Sequence, residues 1–150
     1  VPSPLAGFVN SSMSHAMDFD DYHRASQSHI SSVTVPTALA IGEKTESSGK
    51  EVLDAIIIGV EVAGRIGRLY SRYQQQGGFL PTSVVGGFGA TAVACRLMDL
   101  SVDQTIDAFG IFYSQASGNR QALYDHTLTK RLQPGWAVKS AILAASFAKK

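Results

Sequence analysis

One segment constrains the fold more than any other. From Val52 onward, apolar residues recur at Val52, Ile56, Val60, Ala63 and Ile66, close to the 3.6-residue period of an α-helix. Ser48 precedes this stripe with Glu51 three residues later, the pairing of a capping box, in which each residue satisfies a backbone N–H of the other. Leu69 and Tyr70 extend the stripe, and Gln74, Gln75, Gln76, Gly77 and Gly78 end it. The resulting helix is about 25 residues at most, long for a globular protein, and its role is structural.

The rest of the chain repeats the pattern. Ser101 with Gln104 makes a second capping box, and Asp103 lies in the first turn, where its charge favours the helix dipole. Ile106, Phe109, Gly110 and Tyr113 share a face, and Ser117-Gly118-Asn119 breaks the helix. Pro81, suited to a first turn, opens a helix expected to run to about Leu100. Alanine-rich Gly135–Lys149 reads as another, Val35–Thr45 as a fifth, and Asn10–Tyr22 as a short one. Ser31–Val35 is partly β-branched and open to an extended conformation, but Pro36 isolates it. No convincing strand pattern appears. The reading is one all-α domain over residues 1–150, with at least five helices. Gly59, Ala63, Gly64 and the alanines of Ala90–Ala94 are expected at close helix contacts. Gly77–Gly78 and the polar, basic stretch Gly118–Leu132 are expected as loops, the second long enough to be functional or mobile.

Composition narrows the function. A formal net charge of +1, with scattered basic residues, argues against a nucleic-acid binder. Cys95 is the only cysteine, so no disulfide framework forms within one chain. It lies in an apolar run and reads as a buried small hydrophobe, suited to a reducing compartment. No targeting signal is visible at the start, and no run approaches the roughly 18 apolar residues of a membrane span. Because the chain begins at Val1, it is expected to be trimmed or part of a longer protein.

Chemistry concentrates in His15-Ala16-Met17-Asp18-Phe19-Asp20-Asp21-Tyr22-His23, followed by His29. Carboxylates crowded beside histidines mark metal ligation, acid–base work or a solvated acidic helix terminus, and the spacing matches no dedicated metal motif. His29, before a Ser-rich turn, suits a general acid or base near neutral pH, or a loop or capping role. Lys130 and Arg131 stand just before an expected helix start, whose N–H groups add positive potential. They would suit a small di- or tricarboxylate, or form a solvated basic loop. Gly87, Gly89 and Ala92 fit G-x-G-x-x-A, but no strand precedes them, so they read as glycines for helix packing. No nucleophile elbow is present.

These residues carry a resemblance. Ser14 to Asp21, then His29, then Val35-Pro36-Thr37-Ala38 resembles the "H-x-x-D-[FY]-D-D … H-P-[ST]" signature of the MmgE/PrpD family. Ser48–Val62 resembles that family's long helix, and Phe79–Gly89 its "F-H-x-T-x-x-x-G-x-x-G" segment. Ser114–Gly118 and Thr129–Gly135 resemble its "S-x-A-x-G" and "K-x-[LM]-[HQ]-x-G" segments, in collinear order. The family includes 2-methylcitrate dehydratase, cis-aconitate decarboxylase and iminodisuccinate epimerase. The resemblance implies a cytoplasmic homodimer with a helical domain and a smaller α+β lid, the lid lying outside this chain. It also implies neither metal nor organic cofactor, and a small polycarboxylate substrate processed by proton transfer, with no nucleic-acid or membrane partner. Asp18, His29 and Lys130 match the family's active-site aspartate, histidine and lysine; Tyr22 looks like a pocket position, and Arg131 joins Lys130 in holding carboxylates.

Three positions depart from the pattern: Leu80 replaces the histidine of "F-H", Ile30 the proline of "H-P", and Gln133 the histidine of "L-H-x-G". Leu80 removes a cationic or proton-donating group that dehydratases and decarboxylases would use. The expected function is a lyase or isomerase; the alternatives are a non-catalytic helical or dimerisation module, and a divalent-metal hydrolase using Asp18, Asp20, Asp21 and His29.

Overall fold

The computed structural model describes residues 1–70 and 78–150. The ends expected at Gln74–Gly77 lie outside the described residues. Among the described residues seven helices follow in order: α1 (Ser3–Ser14), α2 (Ser31–Thr45), α3 (Gly49–Tyr70), α4 (Pro81–Leu97), α5 (Val102–Gln115), α6 (Gln121–Tyr124) and α7 (Thr129–Ala148). Among the described residues there is no strand, only two isolated bridges, His23 with Ser28 and Phe79 with Asn119. The domain is all-α.

Helix α4 is the axis. Its residues are nearly all buried, and it packs against α2, α3, α5 and α7, while α1 lies across α2 and α7. Val33, Ile41, Val93, Phe112, Val138 and Ile142 form the core between them. The glycines of α4 are there for packing. A Cβ on Gly89 would come within 2.6 Å of the Gly59 carbonyl oxygen, and a Cβ on Gly87 would enter the Phe112 ring. Ala63, Ala90, Ala92 and Ala94 are buried as expected. Gly64 differs: it faces the His23 ring, 3.6 Å from where its Cβ would lie, and so meets a loop rather than a helix.

Both capping boxes form. Ser48 Oγ accepts from the Glu51 amide at 3.3 Å while Glu51 accepts from the Ser48 amide at 2.8 Å. Ser101 and Gln104 repeat the exchange. Cys95 is buried, and burial pushes its thiol up to about 11.

Three helices differ from the sequence reading at their boundaries, and α1 among them begins at Ser3 rather than Asn10. Helix α2 starts at Ser31, so Ser31–Val35 is helical and Pro36 lies inside. Proline removes the amide that would serve the Ser32 carbonyl four residues back. The Ser11 hydroxyl of α1 replaces it, donating to that carbonyl at 2.7 Å. Helix α1 ends at Ser14, so Asn10–Tyr22 is not one helix, and Asp18 and Tyr22 share no helical face. The acidic cluster instead occupies an irregular loop, with Asp18 in the left-handed region at φ 54°. Helix α7 begins at Thr129 and carries Pro134 within it, so Lys130 and Arg131 sit in its first turn rather than before it. The expected loop Gly118–Leu132 is shortened accordingly and contains α6.

Candidate active site

The loop between α1 and α2 carries most of the polar chemistry, and three contacts set its path. His15 caps α1, its amide donating to the Ser11 carbonyl at 3.1 Å. His23 pairs with Ser28, and behind that bridge the Ser26 and Ser28 hydroxyls lie 2.6 Å apart, fully buried. Gly67 of α3 admits this fold of chain: a Cβ there would meet the Ser26 Cα at 3.1 Å. The loop closes where the His29 amide donates to Thr82 Oγ1, in the first turn of α4, at 3.1 Å. Asp21 then accepts from the Ser31 amide at the start of α2 at 3.0 Å, an acidic partner for the positive end of a helix.

Within this frame Asp20 is the hub. Its side chain is 7% exposed, and its Oδ2 lies 2.9 Å from His15 Nδ1 and 3.4 Å from His29 Nδ1. The contact with His15 is a hydrogen bond; that with His29 is a charge contact without hydrogen-bond geometry. Asp20 Oδ1 is buried with no hydrogen-bond partner. The two imidazoles meet edge to face at 4.8 Å, and the exposed Tyr22 ring packs 5.2 Å from His29. Burial lowers the pKa of His15, outweighing the opposing pull of Asp20, so this ring stays neutral where an ordinary histidine begins to charge.

Asp18 faces the other way. It forms an ion pair with Lys130 at the start of α7 and lies 3.4 Å from His15 Nε2. Partial burial raises its pKa, but the hydrogen bond and charge of Lys130, with help from the two histidines, more than offset this, and the carboxyl is held below its ordinary range. Arg131, one residue on, makes no ion pair among the described residues.

The structure therefore brings Asp18, Lys130, His15, Asp20, His29 and Tyr22 into one group, although Lys130 is 112 positions from Asp18. Asp20, rather than Asp18, is the carboxylate that reaches His29 Nδ1. The sequence reading does not assign His15 a role. Its place at the end of a helix, five residues before Asp20, is the available signal, but it requires the true end of α1 to be known. Leu80 precedes α4, its amide donating to the Gly118 carbonyl at 2.8 Å. Gln133 is buried and donates from Nε2 to the Asn119 carbonyl at 3.1 Å, which ties α7 to the segment before α6. His15, Asp20 and His29 each offer one ligand atom to a cation, all within 4.8 Å of one another.

The helical scaffold thus clusters two histidines and two carboxylates beside a lysine. The whole chain, residues 1–150, matches the MmgE/PrpD N-terminal domain, and the chain belongs to that family. It is 34% identical to human cis-aconitate decarboxylase over 99% of its length, and 31% identical to that of Aspergillus terreus over 95%. It is 32% identical to a cis-aconitate decarboxylase-like protein, oryM, of Aspergillus oryzae over 96%. The chain spans about 31% of the length of these relatives. No helix among the described residues is long and apolar enough to cross a membrane.

Proposed function

We propose that the protein is a lyase of the decarboxylase type, acting on a small polycarboxylate by proton transfer without a resident metal or organic cofactor. The observation that carries this reading is the arrangement around Asp20, with one buried carboxylate between two imidazoles and a lysine beside them. The names of the relatives supply the substrate class, since cis-aconitate is a tricarboxylate.

In this reading the substrate lies against Lys130 and Arg131. Lys130 is already paired with Asp18, so an incoming carboxylate shares or displaces that partner, while Arg131 offers unneutralised charge. Breaking a carbon–carboxylate bond releases CO2 and leaves an electron pair on the adjacent carbon, which must take up a proton. His29 supplies that proton from Nε2, the nitrogen facing away from Asp20. The Asp20 carboxylate, 3.4 Å from His29 Nδ1, orients the ring for that transfer. Tyr22 covers the ring on one side. We further propose a homodimer acting in the cytoplasm, with neither nucleic acid nor membrane as partner.

Leu80 favours a second reading. An apolar side chain where the family pattern has a histidine removes one proton donor, which suits an isomerase or epimerase that moves a proton without expelling a group. A non-catalytic helical module is the third. Incubating the full-length protein with cis-aconitate, and following CO2 release together with proton NMR of the product, separates them. Decarboxylation that is lost in His29→Ala is expected. Solvent-deuterium exchange into a dicarboxylate or tricarboxylate without CO2 would select the isomerase, and neither signal the non-catalytic module.

A further inference from the structure

We propose that His15, Asp20 and His29 form an inhibitory binding site for a borderline divalent cation such as Zn2+. This goes beyond the proposed activity, which uses no metal, and rests on it only for the word inhibitory.

The donor set is the first argument. Two imidazoles and a carboxylate suit zinc far better than magnesium or calcium, which prefer all-oxygen shells. Geometry is the second. Tetrahedral zinc with bonds of about 2.0–2.2 Å places neighbouring ligand atoms about 3.4 Å apart. His29 Nδ1 and Asp20 Oδ2 are already 3.4 Å apart, and His15 Nδ1 is 2.9 Å from the same oxygen. All three ligand atoms lie within 4.8 Å of one another, so side-chain adjustment on binding would bring them to tetrahedral spacing.

The third argument is unused bonding capacity. His29 Nδ1 and Asp20 Oδ1 are both buried and take no hydrogen bond, an arrangement that costs free energy unless something else occupies them. The Asp20 side chain is only 7% exposed, so water does not readily supply the missing partner. The fourth is the surrounding layer. A metal-bound histidine ordinarily gives its other ring N–H to a carboxylate, which fixes the ring. His15 Nε2 has Asp18 Oδ1 at 3.4 Å, and Asp18 is itself held by Lys130. On binding, zinc replaces the proton at His15 Nδ1, and the ring carries its one proton on Nε2, toward Asp18.

Occupation of His29 by zinc removes the group assigned to proton transfer, so zinc and turnover exclude each other. The test uses the full-length protein and zinc chloride. Calorimetry should show one saturable equivalent of zinc per chain, with no comparable heat from magnesium chloride. Asp20→Asn and His15→Gln should weaken binding by about tenfold or more, and Asp18→Asn, acting through the second layer, by about tenfold. His126→Gln, at an exposed loop histidine, should leave it unchanged. Circular dichroism confirms that each variant is folded; His29→Gln is the substitute should Asp20→Asn unfold. Where activity is measurable, zinc should inhibit and a chelator should restore it. Absence of saturable binding up to about millimolar zinc, the weak end of specific affinities, would overturn the site, as would binding lost in His126→Gln but kept in Asp20→Asn. Zinc binding without activity on any polycarboxylate leaves this site standing and removes the proposed function, whereas activity without zinc binding does the reverse.

Discussion

Asp18 and Lys130 form an ion pair across 112 positions of chain, joining the loop after α1 to the first turn of α7. Asp18 holds a left-handed backbone conformation at φ 54°, which aims its carboxylate out of the loop and toward the lysine. An aspartate is among the few non-glycine residues that adopt this region readily. The pair fixes the cation that the proposed substrate would meet first.

Replacing Lys130 therefore removes that cation. Lys130→Met should lower kcat/KM on a polycarboxylate by about 10–100-fold, the loss expected for one hydrogen bond between charged groups, mostly through KM. Lys130→Arg should recover part of it. Steady-state kinetics of the full-length protein decide this; an unchanged KM in Lys130→Met would show that the substrate binds elsewhere.

His29→Ala should reduce turnover by about two orders of magnitude or more, typical for loss of an acid–base group. Asp20→Asn should reduce it less, because the ring loses the carboxylate oxygen that lies 3.4 Å from its Nδ1. Turnover of Asp20→Asn equal to that of the wild type would remove Asp20 from the mechanism.

Stability should depend on pH through His15 and Asp18 in the same direction. His15 titrates below its ordinary value of 6.5 in the folded state because it is buried, so the unfolded chain binds its proton first. Its contribution is complete above 6.5 and is lost as pH falls from there toward the lowered folded value. Asp18, also lowered, contributes above its ordinary value of 3.8 and is lost as pH falls through its own folded value. Thermal unfolding followed in steps from neutral to acid should show the melting temperature falling first in the histidine range, and His15→Gln should flatten that part of the curve.

How much of this is legible in the sequence depends on whether the deciding contact is local. Helices α3 and α5 announce themselves at Ser48–Glu51 and Ser101–Gln104 because a capping box is complete within four residues. The burial of Ala63 and of the alanines of α4 is legible, but the buried face of α3 runs through Ala55, Gly59, Ala63 and Gly67, and Val60 of its apolar stripe is exposed. The start of α2 escapes a local reading because its Pro36 is compensated by Ser11, from another helix, which no local pattern announces. Pro134 hides the first turn of α7 in a similar way, since a proline inside a helix reads as its boundary. The site residues are legible as types but not as partners. Three carboxylates within four positions look equivalent until the loop places Asp18 on Lys130, Asp20 between two histidines and Asp21 on the amide of Ser31.

Two glycine substitutions should have opposite signs. Gly59→Ala puts a methyl within 2.9 Å of the Gly89 carbonyl oxygen and 3.0 Å of the Thr34 methyl, as well as against Val93. Backbone cannot retreat as a side chain can, so α3 and α4 must separate, at a cost of about 1–3 kcal/mol. Gly110 lies inside α5 with nothing near its would-be Cβ. Gly110→Ala should stabilise by about 0.5–1 kcal/mol by restricting the unfolded chain. Denaturant unfolding measures both; destabilisation by Gly110→Ala would place a partner on that face of α5.

The Ser11–Pro36 relationship gives a test by double substitution. Ser11→Ala leaves the Ser32 carbonyl, buried between α1 and α2, without a donor, because Pro36 cannot supply one. An orphaned buried acceptor costs about 1–3 kcal/mol. Pro36→Ala alone restores a backbone amide to a carbonyl that Ser11 already serves, so it should change stability much less. Combined, the two substitutions let the backbone amide regained in Pro36→Ala take over from the lost hydroxyl. The double variant should then be more stable than the Ser11→Ala single, a coupling of about 1 kcal/mol or more between residues in different helices. Denaturant melts of the four proteins measure it directly. Additive effects would mean that the hydroxyl of Ser11 is not what allows proline inside α2.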